Sequence, residues 1–456
     1  MNLISWLHHQ FPIIPSRTER PAVTAADLID FKIVVVEFSD NVESNSGETI
    51  TRLLNEKEGI SASYYDAPFP KTFLNLESRT LFDLIDRGQA LLDRTRADVL
   101  VWGYREGDKI RLNFQTEQQY ENEDCAFVSL LDSLYVPAET FGSGNHLPYA
   151  VGNLIYGAVV SSLNAFSKEK KIQKRYLLKK IISQLSKDDS AKSLSIDYLP
   201  YIMNFLGIIY LSYCYDNHQE KDFKIVKNLF DTALKHQDLI KNPIHLGCIY
   251  YHLGQLYDTA TQNMLRRPTS YYRDAITFYR QAQKHLSKYN YPYDYGYISY
   301  KLSLLFFNYW KQKNDIQALR DAVFQLREAE KIYTYALFPE FWAELQGRLG
   351  YLLSLLGSFT KSEEICELAI ASYKNRQKVI TERRDPLAWA KIQEEIGEIY
   401  YRLGKESADK DLLEEALEYF HDALYIFENS ENEDEVKKLN TDIATVSYTH
   451  LTLPTI

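Results

Sequence analysis

A chain of 456 residues is too long for one ordinary hydrophobic core and suits two or three units, or one open-ended array. Its 45% hydrophobic and 25% charged content is that of a folded chain and excludes a disordered one. The net charge of −10 sits wholly in residues 1–145, which hold 13 Lys and Arg against 23 Asp and Glu while the remainder holds 39 of each; such an acidic segment excludes nucleic acid as its partner, because phosphate contacts need Lys and Arg.

Residues 1–30 read as an N-terminal extension. Residues 1–17 lack the basic start, long apolar run and small-residue cleavage site of a secretory signal. Leu3, Ile4, Leu7 and Phe11 make residues 1–11 a short amphipathic helix. Docking onto the protein body is its expected use, with weak peripheral membrane contact as the alternative, since so short a helix buries too little area to anchor. No apolar run reaches the about 18 residues of a membrane span; residues 154–163 come closest.

Residues 31–135 form a small α/β domain. Residues 32–38 are almost continuously apolar, as in a strand covered on both faces. Helices are expected at 47–56 and 78–96, a second buried strand at 98–104, and a turn at Glu106, Gly107 and Asp108 into a hairpin partner at 110–115. There is room for one more strand between the two helices. Residues 136–192 are a linker followed by a degenerate helical hairpin over 148–187.

Residues 193–445 carry an internal repeat, which decides the architecture. A Leu-Gly-x-x-Tyr-like word recurs at Leu206-Gly207, Leu253-Gly254, Leu302-Ser303, Leu349-Gly350 and Ile396-Gly397, its glycine positions stepping by 47, 49, 47 and 47. Ala275, Ala322, Ala369 and Ala416 keep the same beat, as do Pro243, Pro292, Pro339 and Pro386. Each unit reads as two helices. The first starts at the proline, whose missing N–H is not needed there. Gly357 and Gly404 are expected to close it in the left-handed conformation. The second carries Ala-x-x-x-aromatic-x-x-Ala, as in Ala275, Tyr279 and Ala282, or Ala416, Phe420 and Ala423. Two positions depart from the pattern: Ser303 replaces the glycine of the third unit and Arg376 the last alanine of the fourth. One hairpin cannot bury its own apolar face, so the units stack. The last eleven residues, from Val446 to Ile456, read as a translated sequencing adaptor and stand outside the argument.

These words resemble the tetratricopeptide repeat over about five units, in a long-period form similar to bacterial variants of that family. The segments Val34-Val35-Val36-Glu37-Phe38-Ser39-Asp40-Asn41 and Ala97-Asp98-Val99-Leu100-Val101-Trp102-Gly103-Tyr104 are similar to the amino-terminal domain of TolB-type proteins. The expected fold class is therefore α+β multidomain: a small N-terminal α/β domain, then an all-α solenoid of helical hairpins.

Side chains with chemistry are few. Cys125, Cys214, Cys248 and Cys366 lie far apart with no Cys-x-x-Cys spacing, which fits neither a zinc site nor a disulfide framework and suits a reducing, cytoplasmic setting. His245 and His252 share a helix face but have no metal-ligand spacing and suit packing. Gly142-Ser143-Gly144 lacks a third glycine and reads as a linker, and the loop 39–47 as a connection. The lysine-rich run 168–180 suits a solvated helix face, an acidic partner or the acidic N-terminal domain itself. No catalytic set and no cofactor site emerges.

The chain holds 35 tyrosines, concentrated in the array, where they offer contact area with a hydrogen-bonding tip. The resemblance implies that the first helix of each unit lines a groove. Carried over residue by residue, the groove positions are Tyr201, Asn204, Tyr251, Gln255, Tyr297, Tyr300, Tyr351, Glu394 and Glu398. The acids at 394 and 398 suggest a basic feature in the occupant. The expected function is a non-enzymatic scaffold that holds a partner protein's peptide or helix. The alternative is a regulatory subunit whose α/β domain binds a small ligand and signals through the array.

Overall fold

The computed structural model of the chain describes residues 29–38, 46–68, 78–116, 133–141, 149–163, 167–185, 196–214, 220–263, 269–430 and 432–452. The expectations for residues 1–11, the loop 39–45, Cys125 and residues 142–144 lie outside them. The chain is α+β, a small mixed sheet followed by helices that pack as adjacent pairs, and it divides into two compact units, Met1–Ile298 and Ser299–Ile456.

In the first unit, β1 (Phe31–Glu37), β2 (Ile60–Pro68), β3 (Val99–Glu106), β4 (Lys109–Gln115) and β5 (Ser133–Pro137) form one sheet in the order β2-β1-β3-β4-β5. β1 pairs parallel with β2 and β3; β4 is antiparallel to β3 and β5. Ile33, Val34, Val35 and Val36 are all buried, which is why that run does not alternate. Gly107 takes a φ of 65° in the two-residue turn between β3 and β4, a conformation glycine adopts without strain. β2 fills the space left between α1 (Ser46–Asn55) and α2 (Ser78–Thr95). β5 is an addition to the expected set: its five residues are all buried against β4, with Leu134 opposite Leu112 and Val136 opposite Ile110.

The hairpin expected over 148–187 forms as α3 (Tyr149–Ser162) and α4 (Lys168–Leu185). Its basic run faces the acidic α/β domain. Lys170 meets Asp98 at 3.0 Å and Lys180 pairs with Glu58. Lys174 turns inward and donates to the carbonyls of Ser161 and Leu163 at 2.9 and 2.7 Å. The half-exposed pairs contribute at most about 1 kcal/mol each; the buried Lys174 bonds fix the end of α3.

The array follows as α5 (Leu199–Cys214), α6 (Glu220–Lys235), α7 (Pro243–Asn263), α8 (Thr269–His285), α9 (Pro292–Lys313), α10 (Ile316–Glu330), α11 (Pro339–Thr360), α12 (Glu363–Arg376), α13 (Pro386–Ser407), α14 (Lys410–Asn429) and α15 (Glu433–Thr452). α15 runs on through the residues read as an adaptor as far as Thr452, with Val446 buried. The four prolines begin α7, α9, α11 and α13. Asp315, Ser362 and Asp409 cap the second helices, their side chains accepting from Gln317 N, Ile365 N and Asp411 N. Each such cap contributes about 1 kcal/mol.

Gly357 and Gly404 do not close the first helices. Both lie inside them, and the left-handed residues are Lys361 (φ 52°) and Ala408 (φ 57°), with Asn314 (φ 53°) at the same beat. The glycines serve close approach instead: a Cβ at Gly357 would meet Cys366 Sγ at 2.6 Å, and one at Gly404 would meet Leu413 at 2.9 Å.

The glycine of each repeating word makes room for the ring of the second helix. A Cβ at Gly207, Gly254, Gly350 or Gly397 would fall 2.4, 2.5, 2.9 or 2.8 Å from Phe230, Tyr279, Tyr373 or Phe420 respectively. In the third unit Ser303 stands in the glycine's place and Leu326 in the ring's. A larger residue on one helix is matched by a smaller one on the other.

Candidate functional site

Six of the nine expected groove residues, Tyr201, Asn204, Tyr251, Gln255, Tyr300 and Glu394, fill the interior instead of lining an open surface. Tyr201 packs on Tyr135 of β5 with ring centroids 4.7 Å apart, and His245 stands edge-on to both. β5 thus covers the expected inner face at Tyr201. Gln255 donates to the Tyr251 hydroxyl at 3.0 Å and pairs with His252 at 2.9 Å. Tyr300 packs on Phe341 at 5.3 Å, beneath the Arg348 guanidinium at 5.4 Å. Tyr297 is half-buried; Tyr351 and Glu398 are exposed. Glu394 and Glu398 already hold a cation: Lys438 of α15 pairs with both, reaching Glu398 at 3.2 Å. Burial alone would lower Lys438, but its hydrogen bonds to these acids and their charges outweigh that and hold the ammonium above the ordinary lysine value.

The second unit contains an open cavity of about 330 Å³. Three successive first helices wall it. α9 contributes Ser303, Leu304 and Phe307; α11 contributes Glu344, Gly347, Arg348, Tyr351 and Leu352; α13 contributes Lys391, Ile392 and Glu395. Leu326 of α10 and Tyr373 and Arg376 of α12 close the floor. The volume lies at the small end of the range for ligand sites, which is about 300–1,000 Å³.

The Phe307 and Tyr351 rings continue outward as an aromatic shelf. Phe307 stacks on Trp310 at 5.6 Å, Trp310 meets Phe359 edge-on at 5.6 Å, and Tyr351 meets Phe307 edge-on at 5.7 Å. Phe359 is 56% exposed and Tyr351 43%. These rings thus leave aromatic surface exposed beside a cavity whose lining mixes polar and apolar side chains.

Charge inside the cavity is unevenly matched. Arg348 Nε donates to Glu344 at 2.6 Å, and Lys391 Nζ donates to Glu394 at 2.7 Å. Tyr373, itself buried, donates its hydroxyl to Glu395 at 3.1 Å. Burial, then the charge of Glu398, raise the Glu395 carboxyl against the opposing pull of Tyr373 and Lys391. Arg376 differs: among the described residues none accepts from its guanidinium, and Nε is buried without a partner.

Arg376, Glu395, Lys391, Phe307, Trp310 and Phe359 are absent from the residues expected from sequence. Arg376 had a signal, as a break in the alanine series. The shelf had none beyond ordinary amphipathic spacing.

Among the described residues no group of three or more His, Cys, Asp or Glu could hold a metal ion, and no helix is long and apolar enough to cross a membrane. Comparison with protein-family models gives no match. Comparison with curated proteins gives none either.

Proposed function

We propose that the chain is a non-catalytic scaffold of the cytoplasm, an array of tetratricopeptide type behind a TolB-like domain, that holds a segment of a partner protein at the cavity of the second unit. The observation that carries this reading is the aromatic shelf opening into a cavity walled by three successive first helices. Rings and arginines in a partly enclosed site are the side chains that dominate binding energy at protein interfaces. Three parallel walls from a repeated hairpin suit an extended or helical segment crossing them in turn.

The test is quantitative capture of partners from cells by the full chain, its Tyr351→Ala/Phe359→Ala variant and a Tyr425→Ala control. Tyr425 is also exposed, on α14. The double variant loses the partner that the control retains. Equal capture by all three contradicts the placement. Tyr251 and Tyr300 are unsuitable probes, because both are buried and alanine there would open cavities costing about 3–5 kcal/mol.

A further inference from the structure

The repeat gives each hairpin two register positions at which its helices trade volume. The first is the glycine and the ring it accommodates. The second lies three residues earlier on the first helix and three residues later on the second. There the chain has Tyr251 with Ala282, Tyr300 with Ala329 and Glu394 with Ala423, a large residue against a methyl group. The hairpin α11–α12 inverts this, with Gly347 on the first helix and Arg376 on the second. The inversion is physical: Arg376 Nη1 occupies space so close to Gly347 that a Cβ there would sit 2.8 Å from it. The hairpin α9–α10 alters the other position, where Leu326 takes the place of a ring. Ser303, Leu326, Gly347 and Arg376 all line the one cavity. One departure removes a ring from the wall. The other replaces a methyl group with a guanidinium.

That guanidinium is the cation left over. Arg348 and Lys391 have Glu344 and Glu394, whereas no acceptor among the described residues takes a hydrogen bond from Arg376. A guanidinium recognises a carboxylate best, through two parallel charge-assisted bonds.

We propose that these two breaks in the repeat make the cavity a receptor for an acidic side chain, Asp or Glu, of the partner's segment, with Arg376 binding its carboxylate and the Phe307–Trp310–Tyr351–Phe359 shelf holding an apolar side chain next to it. This rests on the partner-binding reading above and specifies the chemistry of the occupant.

The probe is a displayed random dodecapeptide library with both peptide ends fused, selected on the full chain, on Arg376→Met and on Arg376→Lys. The wild-type selection enriches peptides that carry Asp or Glu within a few residues of an aromatic or aliphatic side chain. Their synthetic copies, capped at both ends, lose at least about tenfold in affinity when Glu is changed to Gln or when Arg376 is Met, a factor typical of one charge-assisted contact. Arg376→Lys keeps part of the affinity. Melting of each variant, measured alongside, stays within about 2 °C of wild type, so that lost binding is not lost folding. Peptides that bind without acidic residues, or acidic peptides that bind Arg376→Met undiminished, overturn the receptor while leaving the scaffold reading intact. A selection that recovers no peptide at all overturns both.

Discussion

Each compact unit contains an arginine with no carboxylate partner among the described residues, and the two are treated in opposite ways. Arg111 of β4 is 1% exposed. Its Nη1 donates to the Tyr104 hydroxyl at 2.7 Å, its Nε to Ser133 at 2.5 Å, and the Tyr104 and Tyr135 rings lie against it. The group is enclosed and supplied with neutral acceptors. Arg376 sits on a glycine at the floor of an open cavity and has none. A buried cation must be satisfied from within, whereas a cation at an open site stays available. The first is therefore part of the core, and the second is a place to bind.

Removing the two charges separates these roles most sharply. Arg111→Met removes a buried guanidinium together with its hydrogen bonds to the Ser133 and Tyr104 hydroxyls and costs about 2–4 kcal/mol. Arg376→Met changes stability by less than about 0.5 kcal/mol. Chemical unfolding of both variants measures the contrast, and similar costs would erase it.

The next effect is on pH. His245, enclosed between Tyr135 and Tyr201, is lowered to about 3 by burial and by the charge of Arg111. It is neutral in the fold, and the unfolded chain binds a proton that the folded chain does not once pH falls below about 6.5. The stability it contributes is thus complete above that value and is lost as pH falls toward 3, at about 1.4 kcal/mol per unit. His245→Gln removes this slope, so the difference in stability between the variant and the wild type shrinks by about 2 kcal/mol from pH 7 to pH 5. A difference that does not change with pH would show that the histidine is not held neutral.

Volume exchange comes third. Leu326→Phe restores the ring of the other hairpins against a serine that has no room for it, and costs about 1–3 kcal/mol. Adding Ser303→Gly recovers most of that, with a coupling of at least about 1 kcal/mol in a double-mutant cycle. Strict additivity would disprove the pairing. The smallest effect is at Ala408, whose left-handed backbone favours glycine; Ala408→Gly raises stability by about 1 kcal/mol.

The helix pairs were legible in the sequence because the prolines, glycines and rings recur in register. The parallel strands β1 and β3 were legible because burial on both faces leaves an uninterrupted apolar run. β5 is too short to show a period, and β2, rich in Ser, Ala and Tyr, lacks a continuous apolar run. The left-handed turn residues were misplaced onto Gly357 and Gly404, since a glycine required for close helix crossing looks the same in sequence as one required for φ. Periodicity marked the inner face of Tyr201 and Tyr251 but could not show that β5 and a neighbouring helix cover it. In the candidate site, Tyr351 was found by register and Arg376 only as an irregularity. Its meaning depends on Gly347, which lies 29 positions away in sequence and against it in space.

The most direct measurement restores the regular pattern at that one place. The Gly347→Tyr/Arg376→Ala variant gives α11–α12 the residues that α9–α10 carries at the same positions. Partner capture and thermal melting are then compared with wild type. The hairpin is predicted to melt within a few degrees of the parent while capture of the partner is lost. Undiminished capture by this stably folded variant would contradict the assignment of binding to the cavity.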